Sequence, residues 1–244
     1  MHLKRCTSLV CSFALLLVAA VDPALSYSQA EPEPAKALRY KISSHGIDVG
    51  ELKTTFSPVL YKGQHAVRFE SRLSVHANLI FFRKTSRSQE DACVTDEGTL
   101  SYHKRREENG RSYSVEGVLD GGSFRFSLQE EGAARKATIP RTSYDFTTMD
   151  CPETRMTREG ESMSVRLLDM ERAVVVTRRY RFVKSENMEA GGKTIRCKVI
   201  DFTDPYNSCR RWVNGDERGV TIVRQEGKGD SGSYSLRLVS LEKG

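Results

Sequence analysis

Beyond one apolar run near its start, the sequence has no stretch long and hydrophobic enough to enter a bilayer, so no transmembrane segment is expected in the mature protein. Helical periodicity is weak, and tryptophan occurs once, at Trp212. The chain also lacks the spacings that carry chemistry. It has no GxSxG elbow, no HExxH and no glycine-rich loop leading into a helix. His45, His65, His76 and His103 fit no metal motif, and close CxxC spacing is absent, which argues against zinc. The expectation is a protein that is not an enzyme, with no cofactor and no metal. Its formal charge of +6 is modest and its acids are scattered, so no concentrated basic face for nucleic acid is foreseen.

What is present begins with a leader. Lys4 and Arg5 precede an apolar run from Leu9 to Val21, and small residues follow at Ala24 and Ser26. A basic start, a short apolar middle and small residues before the cut mark a secretory signal peptide over residues 1–26. No cysteine stands at the cut to receive a lipid. The acidic, proline-containing segment 27–37, with Glu31-Pro32-Glu33-Pro34, reads as a flexible linker. Residues 38–244 read as a single antiparallel β domain. The chain is thereby expected outside the cytoplasm, in the periplasm first and the extracellular space second.

The β reading rests on alternation. Val67, Phe69, Leu73, Val75 and Ala77 alternate with Arg68, Glu70, Arg72, Ser74 and His76, giving one dry and one wet face. Phe124, Phe126 and Leu128 repeat the pattern, as do Tyr234, Leu236 and Leu238. Further strands are expected at 38–44, 47–57, 98–107, 111–119, 162–169, 172–185, 193–203, 208–214 and 218–226. Asn109-Gly110, Asp120-Gly121-Gly122, Gly191-Gly192 and Asn214-Gly215-Asp216 supply hairpin chemistry. The fold class expected is all-β: a strongly curved antiparallel meander sheet or half-open barrel, with at most one short helix near Tyr144–Met156. A phase flip at Gly50-Glu51 signals a bulge. Arg83–Asp91, polar on both faces, reads as a projecting strand or a rim loop.

Four cysteines remain after the leader, Cys93, Cys151, Cys197 and Cys209, and an even count in an oxidising compartment favours disulfides. Three pairings are open, although Cys197 and Cys209 fall out of register if the turn at Asp204-Pro205 is tight. The segment Tyr144–Pro152 is either a buried connector or a lid across the mouth of the curled sheet. Basic doublets such as Arg105-Arg106, Arg178-Arg179 and Arg210-Arg211 send neighbours to opposite faces if they lie on strands. Trp212 is expected in the core.

The opening strand Leu38–Ile42 with Gly46–Glu51, the late strand Arg211–Asn214 before Gly219–Ile222, and the Tyr144–Pro152 connector together resemble a group of exported bacterial proteins classed as a domain of unknown function. Members of that group are similar in fold to lipoprotein carriers of the LolA and LolB type, half-open barrels over an apolar cavity. The resemblance implies a carrier or scaffold role in the envelope and supplies no site residues. Two partners follow as expectations: a lipid or acylated ligand on the concave apolar face, or an envelope protein bound by a non-catalytic scaffold. A hydrolase with a spatially assembled site ranks below both.

Overall fold

A computed structural model describes residues 36–79, 82–216, 219–229 and 232–243. The leader at 1–26 and most of the linker lie outside the described residues. Fifteen strands follow: β1 (Lys36–Ser44), β2 (Ile47–Tyr61), β3 (Gln64–Leu79), β4 (Phe82–Thr95), β5 (Gly98–Glu108), β6 (Arg111–Asp120), β7 (Ser123–Glu130), β8 (Ala133–Pro140), β9 (Phe146–Thr147), β10 (Ser162–Asp169), β11 (Val174–Ala190), β12 (Lys193–Thr203), β13 (Ser208–Asp216), β14 (Gly219–Gly229) and β15 (Gly232–Lys243). They form one sheet in the order β8-β7-β6-β5-β4-β3-β2-β1-β15-β14-β13-β12-β11-β10-β9. The all-β expectation holds, and no α-helix occurs among the described residues. Where a short helix was expected, two 3₁₀ turns, Arg141–Ser143 and Pro152–Arg155, flank β9.

Hairpin chemistry explains the meander. Asn109-Gly110 and Gly191-Gly192 have φ of 51° and 83°, and of 58° and 71°, the paired positive values of a two-residue turn that matches strand twist. The polar segment 83–91 belongs to strand β4, paired throughout with β3 and, from Ser86 on, with β5 as well. The bulge falls opposite Ile42 and Ser43, where Ile42 faces Gly50 and Ser43 faces Asp48, so Val49 is the extra residue. Asn214-Gly215-Asp216 is no turn: β13 runs on to Asp216, which pairs with Gly219.

The registers show how so long a sheet buries itself. Residues directly opposite in a ladder share a face. Leu38, Thr54, Ser71, Glu90, Lys104, Val115 and Leu128 form one row across β1 to β7. Ile42, Leu236, Gln225, Arg211 and Ile200 carry that face through β15 to β12. Val199 and Trp212 oppose each other on the reverse face, as does Cys197 by alternation. Yet those three pack in one buried cluster with Leu38, Tyr40, Leu236 and Leu238 of the first face. Leu168, also on the reverse face, packs with Ala92, Tyr102, Phe124 and Phe126 of the first. Both contacts arise when the sheet is rolled as a scroll. Strands β10 to β13 form an inner winding whose back lies against the concave side of an outer winding, β15 and β1 to β7. A third cluster, with Tyr180, Phe182, Ile200, Phe202 and Val213, fills the inner winding itself.

Candidate functional site

The segment joining β8 to β10 crosses the scroll and is held at both ends. The Arg141 backbone N–H donates to Gly122 O at 2.9 Å, on the β6–β7 turn. Thr147 and Thr99 hydroxyls meet at 2.7 Å. Lys198 Nζ donates to Thr154 O and Met156 O at 2.8 and 2.6 Å. Between these points Glu153, with 0% of its surface exposed, accepts from Arg211 Nη1 at 2.7 Å. Arg211 also donates to Gln225 Oε1 at 2.7 Å, and Gln225 reaches Tyr234. Arg178 pairs with Asp204 at 2.6 Å, and both guanidinium groups lie over the Phe202 ring. Burial opposes the charge on Arg211, but Glu153 beside it holds its pKa above the usual value. This arrangement fastens the connector; of the two readings of Tyr144–Pro152, it matches the buried connector.

A second polar clamp ties the two windings. Glu171, in the β10–β11 turn, accepts from Lys104 Nζ at 2.6 Å and Arg106 Nη1 at 2.7 Å, and Tyr113 donates to Glu171 O. Burial acts to raise the Glu171 pKa, yet the two cations outweigh it and hold the carboxyl below its usual range. Tyr102 donates to Glu90 at 2.6 Å on the same face. The doublets therefore split as strand geometry requires. Arg211 points inward to Glu153, while Arg210 turns outward to Asp201 at 2.6 Å. Sequence reading placed these cations on strands but not their acids, because Glu153 and Glu171 come from a connector and a turn.

Cys93, Cys151, Cys197 and Cys209 are all free thiols, so no disulfide is formed among the described residues. Cys197 is one residue before Lys198, which faces Val213; Cys209 faces Phe202, five positions along β12 from Cys197. Rise per residue puts the two about 17 Å apart, beyond bridging distance. Cys93 faces Arg68 and Ser101 on the reverse face of β4, away from the interior that holds Cys209. Burial pushes the Cys151 thiol up to about 12 and the Cys197 thiol up to about 11, so both are poor nucleophiles. The histidines are dispersed, with His45, His65 and His76 exposed. His103 alone meets a carboxylate closely, Asp91 at 3.1 Å. Among the described residues no group of three His, Cys, Asp or Glu could hold a metal ion, and no helix is long and apolar enough to cross a membrane.

The outer face offers space instead. A groove of about 750 Å³ runs over β4 to β8, lined by Gln89, Arg105, Ser114, Gln129, Glu116 and Arg87 among others. Gln89, Arg105, Ser114, Gln129 and Ala134 face one another in succession, one residue per strand. A shallower recess of about 360 Å³ lies beside Met163, Tyr180 and Phe202 at the inner winding. Neither is a closed apolar chamber. The scroll has two edges. Its inner edge, β9, is met by Thr99 of β5. Its outer edge, β8, is half-buried at Ala137 and Ile139 and exposed at its six other residues. Sequence reading missed β8, although Glu131-Gly132 before it, with φ of 49° and 85°, is the same turn type as Asn109-Gly110.

No family model and no curated protein matches this chain. Among solved structures, the crystal structure of a β-barrel-like protein of domain of unknown function DUF1849 from Brucella abortus is similar, with a TM-score of 0.64 and 10% identity over 86% of this chain and 98% of that one. At that identity the likeness is one of fold. It supports the β-barrel-like fold and carries nothing about LolA or LolB.

Proposed function

We propose that this chain is an exported, non-catalytic scroll that acts in the cell envelope by binding another protein through its outer surface. The observation that carries this reading is the occupied interior. A carrier of lipid or acylated ligand needs an apolar cavity of several hundred Å³. Here the concave side of the outer winding is covered by Cys197, Val199, Trp212, Leu168 and Met170 of the inner one. The inward cations Arg211, Lys104 and Arg106 are engaged by the carboxylates of Glu153 and Glu171 in the two clamps. Outside, the groove and the β8 edge are polar, concave or unpaired, the features that protein partners use.

Site-specific photo-crosslinking tests this. A photoreactive residue is placed at Gln89, Gln129 or Lys136 of the full chain in its source organism. Discrete protein adducts are expected, and at least one should form from the β4–β8 surface. Adducts with lipid alone, or none from any surface position, would overturn the reading. Export is checked separately by amino-terminal sequencing, which should begin at Tyr27 within a few residues.

A further inference from the structure

The geometry points to the outer edge of β8 as a docking site for an extended, acidic strand of a partner protein, an inference that rests on the interaction reading above. The two-residue turn Glu131-Gly132 makes Glu130 and Ala133 a hydrogen-bonded pair, and the ladder then alternates. Arg135, Ala137 and Ile139 thus spend their backbone groups on β7. Ala134, Lys136 and Thr138 turn theirs away from it. Among the described residues no backbone or side-chain hydrogen bond reaches those groups. Such an edge is a template for one more strand.

The chemistry of the occupant follows from the side chains along the edge. Strand β8 carries Arg135 and Lys136 and no acid. Lys136 is exposed and has no carboxylate within ion-pair distance among the described residues; Arg135 donates to Arg172 O at 3.0 Å. A second copy of β8 would bring these cations against their own kind, which is unfavourable across a ladder. An acidic strand meets Lys136 with opposite charge. On the other side of the added strand lie the half-buried Ala137 and Ile139, which call for apolar residues. The occupant is therefore a strand alternating acidic and apolar residues. Its length is limited by Pro140, which has no N–H to offer.

Amide hydrogen exchange of the purified protein tests this with two synthetic octapeptides, one alternating Glu with Val and the other alternating Lys with Val. The acidic peptide is expected to protect the amides of Ala134, Lys136 and Thr138, leave those of Arg135 and Ala137 unchanged, and bind roughly tenfold more tightly than the basic one. K136P removes an outward N–H without touching the β7 ladder and should abolish protection while β7 amides stay protected; K136E should reverse the peptide preference. Equal binding of both peptides, or protection that survives K136P, overturns the assignment. If β8 fails this test while cross-links from Gln89 or Gln129 persist, the interaction reading stands and the edge does not; if those cross-links are absent as well, both fall.

Discussion

Glu153 shows how much rests on single side chains here. It lies in a turn between strands, is wholly buried, and neutralises an arginine that points into the scroll. Removing one partner of a buried pair leaves the other charged and desolvated, a cost of about 3–5 kcal/mol. Glu153→Ala should therefore lower the urea unfolding free energy by about that amount, and the added change Arg211→Met should recover part of it. Glu171 adds a pH dependence. Its pKa in the folded protein is depressed, so its contribution to stability is complete above the unfolded value of about 4.3 and is lost as pH falls through the lower folded one. Urea midpoints measured below pH 4 should drop, and Glu171→Gln should flatten that part of the profile. At this scale the sequence was only partly legible. Arg211 and Lys104 sat in visible alternations, but nothing local ties them to acids 58 and 67 residues away. The cysteine count suggested bridges, while the four stand as free thiols and register keeps Cys197 and Cys209 apart.

The strands themselves were far easier to read. Alternation and glycine turns located most of them, because a strand's period and its turn are local properties. β3 kept the expected dry face from Phe69 onward, with Ser71 and Ala77 buried and Leu73 and Val75 half-buried, whereas Val67 is exposed and Ala66 buried in its place. β4 was left between a projecting strand and a rim loop, and β8 escaped, because their apolar alternation is broken by charge, Arg87-Ser88-Gln89-Glu90-Asp91 in one and Arg135-Lys136 in the other. Glycines mark where elements press together. A Cβ at Gly117 would lie 2.7 Å from Phe124 and 2.8 Å from Phe126, whose rings stack at 4.9 Å in the layer between windings. One at Gly50 would lie 2.3 Å from the Ser74 carbonyl oxygen. Gly117→Ala and Gly50→Ala should each destabilise by about 1–3 kcal/mol in thermal or urea melts. At an exposed turn glycine such as Gly63 an added Cβ would meet nothing within 4 Å, and the φ of 82° alone favours glycine. If the Gly117 loss is absent, the layer between the windings is less closely packed than described, and if the Gly50 loss is absent, the β2–β3 ladder is.

For the whole molecule, the curled sheet was foreseeable and its rolling was not. Fifteen strands with one dry face must bend to hide it, but whether the bend encloses a ligand or the chain's own later strands depends on contacts between residues such as Leu38 and Val199. In this scroll the later strands take the place that a ligand would have. The proposed protein-binding function thus lies on the outside, in the groove over β4 to β8 and the edge beyond it. Native mass spectrometry of the protein isolated gently from its source tests that claim most directly. The account predicts the bare mass of the chain from Tyr27, with no acyl species released on activation; a stoichiometric bound lipid on each molecule would contradict it.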